Sequence, residues 1–166
     1  MELLGSSEVK LDKSWGLDHG TWSLLRRMYP EADIPVIQLS LDRTKSPLEQ
    51  VAMARQLLPL RDEGVLVIGS GNIVHNLSLI RWHDNTTYPW AFEFNALATG
   101  LIIDGQTDRL TDYSTLGEAA RLSIPTNEHY LPLLYALSLR TPEDSVSFFA
   151  DQVVLGSISM QSVRIG

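Results

Sequence analysis

Gly64-Val65-Leu66-Val67-Ile68-Gly69-Ser70-Gly71-Asn72-Ile73-Val74-His75-Asn76-Leu77 is the stretch that decides the fold. Its first part is a short, wholly apolar run bounded by glycine, the pattern of a buried strand over 64–68. A flexible Gly-Ser-Gly-Asn turn follows, and then a histidine. Upstream, Ile34 to Leu41 mixes β-branched and apolar residues with Gln38 and Ser40, and reads as another strand. Between the two, Ser46-Pro47-Leu48-Glu49 opens a helix that runs to about Arg61. Ser46 is its N-cap, Pro47 its first residue and Glu49 the partner in a capping box, with Pro59 expected to end or kink it. Strand, helix, strand in this order is a βαβ unit. It predicts an α/β protein.

Working outward, residues 1–20 read as an irregular lead-in, and Thr21 to Tyr29 carries apolar residues at helical spacing before Pro30. A helix is expected over Tyr88–Ile102, with Trp90, Phe94, Leu97 and Leu101 on one face. Residues 107–128 are polar and weakly helical. Tyr130–Leu139 reads as a buried helix, capped by Thr126 or Asn127, and Gly156–Ile165 alternates as a final strand.

Composition narrows the function. The chain has 166 residues, 44% hydrophobic and 20% charged, ordinary values for a globular protein. Its formal net charge of −7, with scattered basic residues, argues against nucleic acid and against an anionic membrane surface. No cysteine is present, so any metal must be held by histidine and carboxylate, which suit iron(II), zinc or manganese. The first residues do not form a signal peptide and no apolar run is long enough to span a membrane, so a cytoplasmic protein is expected. Asn85-Thr86-Thr87 matches the glycosylation pattern, which is discounted for that reason.

Four histidines are the candidates for chemistry: His19, His75, His83 and His129. His75 follows the expected strand and its Gly-Ser-Gly turn, where sites gather in open α/β sheets. The rival reading is a loop histidine next to a helix start. His19, between Asp18 and Gly20, reads equally as part of a tight surface turn. His129 sits at the start of the expected buried helix, either as a rigidly placed ligand or as decoration of a first turn beside Glu128. His83, flanked by charge, reads as a solvated loop. The aromatics Trp15, Trp22, Trp82, Tyr88, Trp90 and Phe92 are more often core than a platform for a planar ring.

Longer strings carry a resemblance. Ser14-Trp15-Gly16-Leu17-Asp18-His19-Gly20-Thr21-Trp22 is similar to W-G-x-D-H-G-x-W, and Ser70-Gly71-Asn72-Ile73-Val74-His75-Asn76 to S-G-x-x-x-H-N/P. Tyr88-Pro89-Trp90-Ala91 and Glu128-His129-Tyr130-Leu131-Pro132 match further segments. Together they resemble the LigB-type (class III) extradiol ring-cleavage dioxygenases, and the resemblance implies a single-domain three-layer α/β/α arrangement over residues 1–166 with a mixed central sheet. The resemblance implies a catechol-type substrate of the DOPA kind, dioxygen as co-substrate, and non-haem Fe(II), or Zn(II) in some members. It implies that His129 is a metal ligand and that His75 is the acid–base histidine, close enough to the metal to serve as a ligand as well. His19 resembles a second catalytic histidine, and Asp18 and Asn76, each beside one of these residues, are assigned to substrate binding. Members also carry H-G-x-P and S-A-H-W motifs with ligand histidines. Neither occurs here, so the chain is expected to lack the family's N-terminal part. A homo-oligomer is one expected state. The rival functions are a non-catalytic remnant or small-molecule-binding domain of the same fold, and a metal-dependent hydrolase on a related scaffold.

Overall fold

The computed structural model describes residues 9–84 and 86–166. The start of the expected lead-in and Asn85 of the glycosylation pattern lie outside the described residues. Six α-helices are described: α1 (His19–Met28), α2 (Pro47–Arg55), α3 (Pro89–Ile103), α4 (Thr107–Thr111), α5 (Glu118–Ser123) and α6 (Leu131–Ser138). Four short strands follow: β1 (Val146–Phe149), β2 (Val153–Val154), β3 (Ile158–Ser159) and β4 (Ser162–Ile165). β1 pairs antiparallel with β4, and β2 with β3. The chain is thus mixed α/β, as expected.

The core forms around α3. Ala91, Phe94, Ala98, Leu101 and Ile102 are buried on it, and they meet Ala119, Ala120, Tyr130, Leu131 and Leu134. Alanines on both α3 and α5 let the two helices approach closely, so that Phe94 and Tyr130 fill the space between layers. Burying the Phe94 side chain stabilises the fold by roughly 1.5–3 kcal/mol. The Tyr130 hydroxyl donates to Leu110 O at 3.0 Å, and burial pushes its pKa up. On the other side, α2 packs on α6 through Met53, Ala54 and Tyr135. The expected capping box forms: Ser46 and Glu49 satisfy each other's backbone N–H groups. The α-helix ends at Arg55, and Pro59 falls in a 3-10 turn, Leu58–Arg61.

Three expectations about strands are corrected. Residues 34–41 and 64–68 form no ladder among the described residues. They are not buried on both faces either: Ile37 is 90% exposed and Leu66 62%. A strand needs a neighbouring backbone to take up its N–H and C=O groups, and among the described residues neither segment pairs with one. Leu39 and Leu41 find apolar cover against α2 and α6. The expected final strand over 156–165 is broken into β3 and β4, because Gln161 turns inward to bond Asn95 and Thr99. The aromatics also divide: Tyr88 and Trp90 pack against the core, whereas Trp15, Trp82 and Phe92 are largely exposed.

A half-buried charge pair, Arg61 with Asp144, closes the C-terminal half. Arg61 Nη1 and Nη2 each donate to the Asp144 carboxylate at 2.6 Å, and Thr141 N–H donates to the same carboxylate at 2.6 Å. The Arg61 guanidinium, with Thr141, holds the Asp144 carboxyl well below the usual carboxylate range. A depressed carboxyl contributes stability that is full above its ordinary pKa, 3.8, and is lost as the pH falls through the native value. Asp144→Asn is therefore expected to lower the melting temperature at neutral pH. Its deficit relative to the parent should narrow as melts are taken below about pH 4, where the unfolded chain's carboxyl is protonated. An equal deficit at every pH would assign the loss to packing instead.

Candidate active site

Two turns lock together to build the site. Asn72 N–H donates to His129 O at 2.7 Å. A Cβ placed on Gly71 would lie 2.2 Å from His129 O, and one on Gly69 would lie 2.3 Å from Pro132 O. The absence of side chains at these positions is what lets the Gly-Ser-Gly loop press against the start of α6. Beyond the loop, His75 N–H donates to Ser123 O at 2.9 Å, and His75 forms an isolated antiparallel bridge with Ile158. Ser159 N–H donates to Val74 O at 2.9 Å. His75 is thus gripped between the end of α5 and β3.

The consequence is that His75 and His129 stack, with ring centroids 3.7 Å apart and planes inclined by 23°. Both are half-buried. Burial, and secondarily the neighbouring His129, lower the His75 pKa, while the Glu128 carboxylate acts in the opposite direction. The His75 imidazole is accordingly neutral at pH 7, with one nitrogen free to accept a proton. Glu128 Oε1 lies 3.9 Å from His129 Nε2, and Glu128 also accepts from the Thr126 hydroxyl at 2.8 Å.

His19 heads α1 and is exposed. Asp18 caps this helix by accepting from Thr21 N–H at 2.9 Å, and Gln38 Nε2 donates to its other oxygen at 3.0 Å. Ser70 Oγ donates to Gly20 O at 3.0 Å, which ties the His19 turn to the same Gly-Ser-Gly loop. Asn76 is buried. Its amide nitrogen donates to Leu122 O at 2.8 Å and its oxygen accepts from Ser78 at 2.6 Å. His83 is exposed on its loop, as expected. The start of α6 differs from expectation: no side chain caps it, and the Asn127 carbonyl, not its amide, accepts from the N–H groups of Tyr130 and Leu131.

Sequence reasoning did not find Ser123. Its carbonyl anchors His75, and its buried hydroxyl has no hydrogen-bond partner among the described residues. Nothing in the local sequence separates this serine from others in the polar stretch.

The residues present do not make a metal centre by themselves. Among the described residues no three His, Asp or Glu side chains converge closely enough to hold an ion. An imidazole lone pair lies in its ring plane, so two nearly parallel stacked rings direct their lone pairs side by side and not toward one point.

Comparison with known proteins adds the context. Residues 1–148 match the family model described as the catalytic LigB subunit of aromatic ring-opening dioxygenase. The chain is 44% identical over 171 aligned residues to a protein of Escherichia coli K12 named 4,5-DOPA dioxygenase extradiol, covering all of this chain and 63% of that one. It is 38% identical to the protein of the same name from Beta vulgaris, across 80% of this chain and 50% of that one. The crystal structure of an uncharacterized protein from Escherichia coli K12 superposes with a TM-score of 0.91 at 43% identity, covering 99% of this chain and 69% of that one. The chain therefore spans less than two thirds of the length of these two named relatives.

Proposed function

The chain belongs to the LigB family of aromatic ring-opening dioxygenases, and from that premise we propose that its histidine pair serves extradiol cleavage of a catechol-type ring. The observation that carries the reading is the stacked His75–His129 pair, held by the Gly69–Asn72 loop. The named relatives are 4,5-DOPA dioxygenases, so a DOPA-like catechol is the substrate class proposed. Dioxygen inserts both its atoms as the ring opens beside the diol, giving a product with one aldehyde and one carboxyl group.

In this reading His75 is the base. It is neutral at pH 7 and half-buried, so it can take a catechol hydroxyl proton and return one as the ring opens. His129 stacks on the His75 ring and fixes its orientation. His19, on the turn tied to Ser70, contributes a third imidazole, with Asp18 and Asn76 as neighbours that shape the substrate pocket. A non-haem metal, iron(II) or zinc, belongs to this activity; His129 would be its donor from this chain, with His75 beside it either as a further donor or, in the role given it here, as the base that keeps its lone pair for the proton. The two stacked rings need further ligands and a change of inclination to hold it.

A second reading, a small-molecule-binding domain without catalysis, is favoured by that incomplete donor set. One experiment separates them. The chain is assayed under air with excess iron(II) and DOPA, alone and mixed with the part of the Escherichia coli relative that it does not match. Catechol-dependent oxygen uptake with a yellow ring-opened product is expected in the mixture. His75→Ala should lower it by about 10²–10⁴-fold, the range for a lost general base. Oxygen uptake that is indifferent to His75 in both settings would remove His75 from the mechanism. No uptake in either would favour the binding domain.

A further inference from the structure

Strand β3 carries a serine whose polar atoms are all engaged. Ser159 is buried, its N–H donates to Val74 O at 2.9 Å, and its carbonyl accepts from Asn72 Nδ2 at 2.7 Å. Its hydroxyl donates to Asn95 Oδ1 at 2.6 Å and accepts from Gln161 N–H at 3.2 Å. Behind it, Asn95 Nδ2 donates to Gln161 Oε1 at 2.5 Å, and Gln161 Nε2 donates to the Thr99 hydroxyl at 2.9 Å. Asn95 and Gln161 are buried, and Asn95 shares one face of α3 with Ala91, Ala98 and Ile102. A polar set in such a place is not needed for cohesion, since apolar side chains of the same shape hold helix and strand together about as well. What the polar set adds is one fixed position for Ser159 against α3.

Both histidines hang from this strand. His75 bridges to Ile158, the residue before Ser159, and Val74, the residue before His75, accepts the Ser159 N–H. His129 is reached through Asn72. The Asn72 side chain bonds Ser159 O, and the Asn72 N–H bonds His129 O. One residue thus joins β3 to the turn ahead of α6, and the stacked rings stand on the two sides of that joint. The glycines of the loop permit the close approach but do not fix its distance, because a missing side chain makes no directional contact. The amide does fix it, since a hydrogen bond weakens steeply as its length and angle depart from ideal.

We propose that Asn72 is a positioning residue for the histidine pair: its side-chain amide, seated on Ser159 and backed by Asn95 and Gln161, sets how far His129 stands from His75. Asn72 acts through the main chain of the His129 turn and handles no proton itself. Its effect on ring cleavage rests on the proposed function; its effect on the two rings rests on the hydrogen bonds alone.

The test compares the full chain with Asn72→Asp, Asn72→Ala and Tyr135→Phe by NMR of the histidine rings. Aspartate keeps the shape of asparagine, but at pH 7 it has only acceptors to set against the Ser159 carbonyl. Tyr135→Phe removes a buried hydrogen bond to Gln50, between α6 and α2 and outside this network. The unmodified chain and Tyr135→Phe should show ring-to-ring contact signals and ring-current shifts of a stacked pair. Both Asn72 variants should lose them while keeping the dispersed spectrum of a folded chain. Stacking signals that survive in both Asn72 variants, or that vanish equally in Tyr135→Phe, would overturn the proposal. If both Asn72 variants fail to fold, the unmodified chain decides. Its Asn72 side-chain amide must exchange more slowly than that of exposed Gln56, and equal rates overturn the proposal. With DOPA, in the mixture with the unmatched part of the Escherichia coli relative, kcat of Asn72→Asp should fall about 10–10²-fold with KM nearly unchanged, the size of an ångström-scale misplacement. Unchanged turnover with lost stacking would overturn the role in cleavage. Lost stacking in the variants, with no ring cleavage even by the unmodified mixture, sinks the dioxygenase reading and keeps the positioning role.

Discussion

Replacing Gly71 by alanine is expected to unfold or severely loosen the site end of the molecule. The added Cβ would sit 2.2 Å from His129 O and 3.1 Å from His129 C. Both are backbone atoms at the start of α6, so no side-chain rotation relieves the clash. One of the two turns must retreat by about 1 Å to restore an ordinary contact. Retreat breaks the 2.7 Å hydrogen bond from Asn72 N–H to His129 O, and it separates the stacked imidazoles. The cost should lie at the top of the ~1–3 kcal/mol range for overpacking, or beyond it, because backbone and not side chain must yield. Denaturant melts of Gly71→Ala and of Gly16→Ala make the comparison, since a Cβ on Gly16 meets nothing within 4 Å. A Gly71→Ala protein as stable as Gly16→Ala, with the Asn72 amide still protected from exchange, would show that the two turns are not locked as described.

The same contact explains how much of the site was legible. His75 stood out because a Gly-Ser-Gly turn preceded it, and His129 because it opened an apolar helix. That the two would stack could not be read from either segment, since the Gly71–His129 approach joins positions far apart in the chain. The capping box at Ser46 was legible because it is local, residue to third residue. The segments 34–41 and 64–68 show the converse. Their residues carry the pattern of strands, but pairing is a property of two segments, and among the described residues neither is paired. The paired strands β1 and β2 went unread, because Val146–Phe149 and Val153–Val154 are short and take their partners from β4 and β3.

Anaerobic iron(II) titration of the 166-residue chain is expected to show no tight stoichiometric binding. Of the four histidines, the structure brings two together, His75 and His129, and these are stacked face to face at 3.7 Å with a 23° inclination. For both to ligate one ion, at least one ring must turn so that the lone pairs converge, and the stacking contact is lost in doing so. Glu128 is near His129 but is held by Thr126, and no third His, Asp or Glu joins them among the described residues. Removing even the support of a ligand commonly costs 10–100-fold in metal affinity, and an absent ligand costs at least as much. Adding the part of the Escherichia coli relative that this chain does not match should raise the affinity by several such factors if that part supplies donors. In the mixture, His129→Ala should return the affinity to that of the chain alone. His75→Ala should depress turnover more than metal loading, because its neutral imidazole also serves as the base. Tight one-to-one iron binding by the unmixed chain, abolished by His129→Ala, would show that the two rings open to receive a metal and that its remaining ligands already lie within these 166 residues.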